Sequence, residues 1–389
     1  MKKHLLHIVL QSLLLTGIIY VSQTQAQNIS YSYNETLRLE GVDKFSEEYS
    51  FASPNFVFSD SENNIYVSDR RLGTIRKFNR SGEHQFTIGE RGRGPGEFTE
   101  ISAFYIDPSK DHLIVVDRMN VRASRFSLEG ELLETHQLPE GSIISPWMGR
   151  ADQEGNHYLY YRYPVLPNRP RIGDDHLIYQ YSDDFSEVTQ SFAEAELFGD
   201  IEDYFLSRMI TGPTSGIFEI KNKEKVITAP FIFQGSIFNF YNNEGEWELK
   251  NTLRSSVHTD VAYEQIDASD PPEYARVMGT SRGTLAGIIY SATIGLHITE
   301  EGKLAHYVHT IDEEHRNGEI GVNLFNLETD EFLGYTKIDE FSKELSSDSQ
   351  TGLTLQIKSN SENRIYLVDG RSKDGTEIVV AEINFSVEN

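Results

Sequence analysis

The sequence of 389 residues contains no cysteine, and this absence excludes several kinds of chemistry. Without thiols the chain has no disulfide, no thiol nucleophile, no thiolate-bound metal and no lipid attached through cysteine. Basic residues are also scarce, because 35 Lys and Arg stand against 60 Asp and Glu, which gives a formal net charge of −25. An excess of negative charge repels a phosphate backbone. We therefore expect no nucleic-acid partner.

Long apolar runs are missing everywhere except at the N-terminus. Lys2 and Lys3 precede an apolar stretch over residues 5–21, and small residues end at Ala26. This order is typical of a secretory signal. A membrane anchor is the alternative, but polar residues interrupt the run and it is short for a bilayer span. We predict a signal over residues 1–26, no membrane span after cleavage, and a periplasmic or extracellular protein.

A pattern of short strands recurs along the chain. An apolar strand over 56–59 is followed by an acidic turn and a second strand over 65–69, which ends at Asp. The same sequence of features returns over 103–117 and over 355–369. Repeats of roughly 40 to 50 residues built from short strands are typical of propeller blades. The pattern predicts an all-β fold.

The number of second strands predicts the number of blades. These strands begin near Ile65, Leu113, His157, Lys225, Lys303 and Arg364, which gives six. The last blade ends after three strands, with Glu377–Phe385 as its third, so its edge has to be covered. We expect Tyr31–Leu39 to supply the fourth strand and close the ring. The prediction is one domain over 27–389, a six-bladed β-propeller of four-stranded blades.

Two segments carry a resemblance to a known family. The run Ile88–Phe98, which reads IGERGRGPGEF, and the segment Asp117–Arg122, followed by Phe126, resemble the turns of NHL-repeat propellers. The chain is also similar to six-bladed propellers of the bacterial envelope. The resemblance implies a binding or scaffold role, as in many of these proteins, or a metal-using lyase or lactonase, as in some. It also implies that Arg122 is structural.

Other motifs do not identify a catalytic, metal or cofactor site. The glycine-rich run lies between strands and lacks the Gly-Lys-Ser/Thr ending of a phosphate loop. His306 and His309 are three residues apart on a predicted strand, so their side chains point to opposite faces. His297 is expected to be a structural histidine. The aspartates that end second strands, at 69, 117 and 369, are predicted to cap turns. No cofactor or metal is predicted, and catalytic residues stay unknown.

Arginines concentrate in the loops of one face of the disc. The turn between strands two and three and the loop between blades share that face, which we call the arginine face. Guanidinium groups form rigid forks that fit carboxylate, sulfate or phosphate. Blades one, two and six are neighbours, so we select as ligand-binding candidates Arg70, Arg91, Arg93, Arg118 and Arg371. The alternative is that acidic residues in the same loops, such as Glu90 and Glu97, neutralise them. Lysines, including Lys110 and Lys358, are expected on the opposite face.

Insertions in the same loops are predicted to form short helices. The candidates are Asp200–Met209, Pro271–Met278 after an N-cap at Asp270, and Asp339–Leu345. Their apolar side chains would cover the channel mouth as a partial lid; these are Tyr204, Phe205, Tyr274 and Met278.

Three functional hypotheses follow. The first is a binding or scaffold propeller that takes an anionic small molecule, glycan or peptide. The second is a metal-assisted lyase or hydrolase on acidic sugars or peptides, with its site in the central channel. The third is a protein-interaction module that uses Tyr158, Tyr160, Tyr161 and Tyr163, although blade packing explains these residues as well. We expect a monomer whose partner is an anionic ligand or an envelope protein.

Overall fold

The computed structural model describes residues 27–39, 51–139, 146–161, 176–198, 215–255, 261–272, 275–280, 283–311, 318–342, 355–361, 363–370 and 376–388. These residues form a six-bladed β-propeller, as predicted. The innermost strand of each blade contacts the innermost strand of the next, and blade six contacts blade one.

The first three blades are antiparallel meanders of four strands. Their inner two strands are apolar on both faces because neighbouring blades cover both sides. After the N-terminal strand β1 (Asn28–Leu39), blade one has β2 (Pro54–Ser59), β3 (Ile65–Asp69), β4 (Thr74–Phe78) and β5 (His84–Ile88). Blade two has β6 (Ile101–Asp107), β7 (His112–Asp117), β8 (Arg122–Phe126) and β9 (Leu132–Gln137). Blade three has β10 (Pro146–Ala151), β11 (His157–Tyr161), β12 (His176–Tyr181) and β13 (Val188–Glu194), followed by a 3-10 turn at Ala195–Phe198.

Blades four and five have the same meander, with an additional small sheet between them. Blade four has β14 (Gly216–Asn222), β15 (Lys225–Pro230), β16 (Ser236–Asn243) and β17 (Glu246–Arg254). The additional sheet has β18 (Tyr263–Ile266), β19 (Arg276–Thr280) and β20 (Gly283–Ile289). Blade five has β21 (Ser291–Ile298), β22 (Lys303–Ile311), β23 (Gly318–Asn326) and β24 (Glu331–Lys337), followed by the helix α1 (Asp339–Ser342).

Blade six is completed by the N-terminal strand, as the sequence predicted. It has β25 (Leu355–Ser361), β26 (Arg364–Asp369) and β27 (Glu377–Glu388), and β1 (Asn28–Leu39) is its outer strand. β1 pairs antiparallel with β27 along its whole length, from Asn28 opposite Glu388 to Leu39 opposite Ile378. The outer edge of β27 is therefore covered.

A bulge lets β1 contact both neighbouring blades. The register shifts between Glu35 and Leu37, and an extra residue at such a point changes which face the following side chains occupy. Before the bulge, Ile29, Tyr31 and Tyr33 pack in the cluster that joins blades five and six. After it, Leu37 and Leu39 pack in the cluster that joins blades six and one. One strand thus fastens the last blade on both sides.

Glycines form equivalent turns in blades one and two, and one of them contacts the closing strand. Gly82 and Gly130 have φ values of 84° and 87° in the turns between the third and fourth strands of blades one and two. A Cβ on Gly82 would lie 2.8 Å from Leu37 Cδ1, so this position needs glycine both for its backbone and for β1 packing.

The predicted helix at Pro271–Met278 is wrong. Arg276–Thr280 forms β19, which pairs with β20 from Arg276 opposite Gly287 to Thr280 opposite Gly283. Met278 packs against the small cluster around Ile232, Ala262, Ile289 and Ala292, which supports a sheet and not a lid. The third predicted helix begins at Asp339 as expected and is described to Ser342. Asp200–Met209, Tyr204, Phe205 and Tyr274 lie outside the described residues.

Candidate functional site

Aspartates at the ends of two second strands organise the loops of the arginine face. Asp69 accepts hydrogen bonds from the backbone N–H groups of Ala52 and Ser53, which lie just before β2. It also accepts from the N–H groups of Arg71 and Leu72 in the turn after β3. Asp117 does the same in blade two. Its carboxylate accepts from the backbone N–H groups of residues 99, 100, 119 and 120. The predicted capping role is confirmed for both residues, and each one ties a turn to an inter-blade loop.

The glycine-rich run is a turn held by Arg122, as the resemblance implied. The Arg122 guanidinium donates to the backbone carbonyls of Arg93, Gly94 and Glu97 at 2.6–3.2 Å. The Glu97 carboxylate accepts from the Gly94 N–H at 2.7 Å. The backbone of this run is therefore occupied by its own side chains, which agrees with a structural turn and not a phosphate loop.

These loops bring Arg70 and Arg118 together on one carboxylate. The Arg70 guanidinium hydrogen-bonds Glu100 Oε1, and Arg118 Nε lies 2.7 Å from Glu100 Oε2 as an ion pair without hydrogen-bond geometry. The Arg70 and Arg118 side chains stay 42% and 32% exposed, whereas Glu100 is 17% exposed. Two solvent-facing guanidinium groups thus share one negative charge. Glu100 was not among the acidic partners expected from the sequence.

A cavity of about 200 Å³ lies at this end of the central channel, and we call it the mouth cavity. Arg70, Arg118 and Lys358 line it, against the single carboxylate of Glu100, so its described charged groups sum to a net positive charge. The rest of the lining combines apolar and neutral polar groups, among them Phe56, Trp147, Met148, Asn55, Ser102 and Gln356. The cavity can therefore contact an apolar ring face, hydroxyl groups and an anion together.

Lys358 lies in the mouth cavity, whereas the sequence analysis placed it on the opposite face. It projects from the innermost strand of blade six, and its Nζ lies 5.8 Å from the centre of the Phe56 ring. Burial, and secondarily the Arg150 charge, lower the pKa of Lys358 to about 8. Within the described residues no carboxylate forms an ion pair with Lys358, because none lies within 4.0 Å.

The other arginine candidates lie outside the mouth cavity. Arg91 is exposed and donates to the Arg71 carbonyl at 3.1 Å, so it braces the neighbouring turn. Arg93 is exposed on the glycine-rich turn. Neither lines the cavity. Arg371 lies outside the described residues.

Further down the channel, an ion pair separates two cavities. Arg150 and Glu219 form two hydrogen bonds of 2.6 and 3.1 Å between the inner strands of blades three and four. The Arg150 guanidinium also lies 5.0 Å above the Phe58 ring. Beyond it, a larger cavity of about 570 Å³ opens on the opposite face. The sequence does not predict this pair, because it forms only where the inner strands of blades three and four pack side by side.

The tyrosines proposed for protein interaction are core residues in the described structure. Tyr158 and Tyr160 are 1% and 0% exposed, and Tyr161 is 6% exposed. Tyr160 packs against Phe198 and Phe218, and Tyr161 shares a 2.6 Å hydrogen bond with Tyr181. Tyr163 lies outside the described residues. The packing explanation is confirmed for the three that are described.

The histidines considered from the sequence are buried as well. His297, His306 and His309 are each 0% exposed. His306 bonds Thr293 and Asn323 through its two ring nitrogens, and burial lowers its pKa to about 3. His306 is therefore a neutral, structural side chain.

Solved structures confirm the architecture at low sequence identity. A member of the DUF4221 family from Bacteroides vulgatus has a TM-score of 0.59 at 10% identity and covers 94% of this chain and 100% of its own. A candidate exported protein from Bacteroides fragilis has a TM-score of 0.53 at 13% identity, with 93% and 96% coverage. The PQQ-bound aldose sugar dehydrogenase of Streptomyces coelicolor has a TM-score of 0.51 at 10% identity, with 92% and 100% coverage. At these identities the likeness shows the fold alone.

Three further findings bear on the class of protein. No curated protein matches the sequence significantly. In the part of the chain that the structure describes, no helix is long and apolar enough to cross a bilayer. The model of the DUF5128 family, described as a six-bladed β-propeller, matches residues 55–250, which is just over half of the chain. The chain therefore belongs to this family of six-bladed β-propellers.

Proposed function

We propose that this protein is a non-enzymatic binding or scaffold propeller that recognises an anionic small molecule, glycan or peptide at the mouth cavity. The observation that carries the proposal is the convergence of Arg70 and Arg118 on Glu100 beside Lys358. A bound carboxylate, sulfate or phosphate would accept hydrogen bonds from N–H groups of both guanidinium groups. Arg91 and Arg93 would contribute from the adjacent turn to the attraction of the anion.

The balance of charge and exposure supports an anion as the ligand. Glu100 neutralises the charge of only one of the two guanidinium groups that meet it, and both groups stay partly open to solvent. Lys358 adds a third cation within the same cavity. Burial lowers its pKa, and among the described residues no carboxylate forms an ion pair with it, so a bound anion would offset the cost of burying the charge.

A metal-assisted lyase or hydrolase in the central channel is the alternative. That function requires several His, Asp, Glu or Asn side chains to converge within the channel. Among the described residues, the mouth cavity contains Glu100 and Asn55 without a histidine. The carboxylate deeper in the channel, Glu219, is occupied by Arg150. Arginines converge in the mouth cavity and a set of metal-binding side chains does not, among the described residues, which favours anion binding over metal-assisted catalysis.

We also propose that the protein acts outside the cytoplasm, in the periplasm or the extracellular space. The proposal depends on the predicted signal over residues 1–26, which lies outside the described residues. The absence of cysteine supports a soluble mature form, because it excludes lipid attachment through cysteine. N-terminal sequencing of protein secreted by the native host tests it, and a chain that keeps residues 1–26 would overturn it.

The binding proposal is tested by titrating uronic acids, sulfated sugars and acidic peptides into the purified protein by calorimetry. Each charge-assisted hydrogen bond contributes about 1.5–3 kcal/mol. Two or three of them, less an association cost of at least about 4 kcal/mol, predict a Kd on the order of millimolar. Binding should weaken as ionic strength rises above about 0.15 M, where the screening length is about 8 Å.

Three variants separate the mouth cavity from the rest of the surface. The double variant Arg70→Ala, Arg118→Ala should lose binding at least tenfold. Arg91→Ala should lose less, since Arg91 does not line the cavity. Arg80→Ala is the matched control, because Arg80 is exposed in a turn of the opposite face. If no anion binds the wild type, or the double variant binds as well as Arg80→Ala, the arginines only brace the loops and the proposal is wrong.

A further inference from the structure

The turn between the first two strands of a blade is built on a buried aspartate. Asp60 in blade one accepts two backbone N–H bonds through Oδ1, while its Oδ2 accepts from the Asn64 amide and the Tyr66 hydroxyl. Blade three repeats this arrangement. There the same four bonds reach Asp152 from residues 154, 156 and 158. In both blades an asparagine four residues on and a tyrosine six residues on satisfy the second oxygen.

Blade two keeps the aspartate but lacks both donors. Asp107 Oδ1 accepts from the N–H and hydroxyl of Ser109, while the positions four and six residues on are Asp111 and Leu113. Asp107 is 0% exposed, and its Oδ2 has no hydrogen-bond partner. A buried carboxylate oxygen without a partner is costly, because it has lost its water and received nothing in exchange.

A histidine of the next blade faces this oxygen. His157 begins β11 and is 0% exposed, and its Nε2 lies 4.0 Å from Asp107 Oδ2. This distance is too long for a hydrogen bond, and Nε2 also has no partner. Nδ1 shares a 3.2 Å hydrogen bond with the Tyr105 hydroxyl, and the ring stacks on Phe185 at 4.4 Å. The ring is thus fixed with one nitrogen directed at the carboxylate.

The contact with Tyr105 decides which nitrogen of this buried imidazole could bind an ion. In the tautomer that donates Nδ1–H to the Tyr105 oxygen, the lone pair of the neutral imidazole lies on Nε2. A metal ion beside Nε2 would select this tautomer, because it binds that lone pair.

A third side chain completes the group. Asp183 lies in the turn between the third and fourth strands of blade three, and its Oδ1 is 3.8 Å from His157 Nε2. One ligand atom from each of Asp107, His157 and Asp183 lies within 4.8 Å of the others. All three ligand atoms could bond a central ion at about 2.1 Å if each side chain moved toward it by about half an ångström. Asp183 is also bound by Lys110 and by Arg125, so these cations compete with an ion for its carboxylate.

We propose that Asp107, His157 and Asp183 form a binding site for a divalent transition-metal ion between blades two and three, on the face opposite the arginine face. One imidazole and two carboxylates form a ligand set that suits Zn²⁺, Co²⁺, Ni²⁺ or Mn²⁺ better than Ca²⁺ or Mg²⁺. Tyr105 would orient the imidazole from behind, as partners of metal-bound histidines do. The bound ion would join two blades through their buried ends.

The experiment uses untagged protein freed of metal with a chelator. Zn²⁺ and Co²⁺ are titrated by calorimetry and by thermal denaturation, and Co²⁺ also by its visible absorption. We expect one ion per chain and a rise in Tm of about 3 °C at a concentration one hundred times the Kd. Ca²⁺ and Mg²⁺ at the same concentrations should change the Tm by less than Zn²⁺ does.

Surface variants test the assignment without disturbing the core. Asp183→Asn should weaken Zn²⁺ binding at least tenfold, while the adjacent Asp184→Asn, which changes an exposed turn residue, should bind as the wild type does. Lys110→Met should tighten binding about threefold or more, because it frees the Asp183 carboxylate from a competing cation. One buried variant is added, and His157→Gln should lose the Co²⁺ absorption while its circular dichroism matches that of the wild type.

Three outcomes would overturn the proposal. They are no saturable Zn²⁺ or Co²⁺ binding, equal loss in Asp183→Asn and Asp184→Asn, and weaker binding in Lys110→Met than in the wild type.

Discussion

Removing the closing strand should open the ring at blade six. β1 covers the edge of β27 and contacts blade five before its bulge and blade one after it. A chain without residues 27–39 would expose the paired edge of β27 and the apolar side chains beneath β1. Exposed strand edges pair with other chains, so we expect a lower Tm and aggregation.

A single substitution in β1 gives the scale of the effect. Leu39 is 6% exposed and packs in the cluster between blades six and one. Truncating a buried leucine to alanine costs about 3 kcal/mol. For a chain of this length, that cost lowers the Tm by about 4 °C. The deletion also removes the contacts of Ile29, Tyr31 and Tyr33, so its fall in Tm should exceed that of Leu39→Ala.

Thermal denaturation with light scattering compares the Tm values of the deleted chain, Leu39→Ala and Ser32→Ala. Ser32→Ala is the matched control, since Ser32 is exposed on the same strand and its change should stay within about 0.5 kcal/mol. Addition of a synthetic peptide of residues 27–39 to the deleted chain should restore the Tm by strand addition, and a peptide with Leu39→Ser should restore less. A deleted chain that melts like the full chain, or Leu39→Ala that melts like Ser32→Ala, would refute the closing role.

Three further predictions concern charges. Lys225 is buried and donates to Asp330 at 2.7 Å, so Asp330→Asn should cost about 3 kcal/mol by leaving an uncompensated ammonium, while Glu328→Gln on the exposed turn should be neutral. Thermal denaturation checks this, and equal Tm values would contradict it. Glu100→Gln should tighten anion binding about tenfold, because it removes the carboxylate that competes for Arg70 and Arg118. If calorimetry shows no gain in affinity, the mouth cavity is not the anion site. Anion affinity should be constant below about pH 7 and fall between about pH 7 and pH 9, because Lys358, whose pKa is lowered to about 8, loses its charge over that range. A flat profile up to about pH 9.5 in calorimetry, with Lys358→Met as the uncharged control, would exclude a contribution from Lys358.

Local patterns in the sequence identified the strands that recur in every blade. The second strands of all six blades begin within a residue of their predicted positions, for example His112 for Leu113 and Arg364 as expected. The helix predicted at Pro271–Met278 failed because a capping box is a local preference, and β20 offered Val277 and Met278 a paired strand instead. Local propensity gives way where a tertiary partner is available.

The sequence by itself determined the blade repeat, the number of blades, the turn residues and the need for a closing strand. Each of these depends on spacing, alternation or an unpaired edge, and such features act over a few residues or follow from counting. Only the tertiary structure decided which charges meet. Arg70, Arg118, Glu100 and Lys358 come from three blades, and Asp107 meets His157 across a blade interface. Such groups are brought together by the packing of neighbouring blades, by the closure of the ring and by how deeply each side chain is buried, and the local pattern of residues specifies none of these.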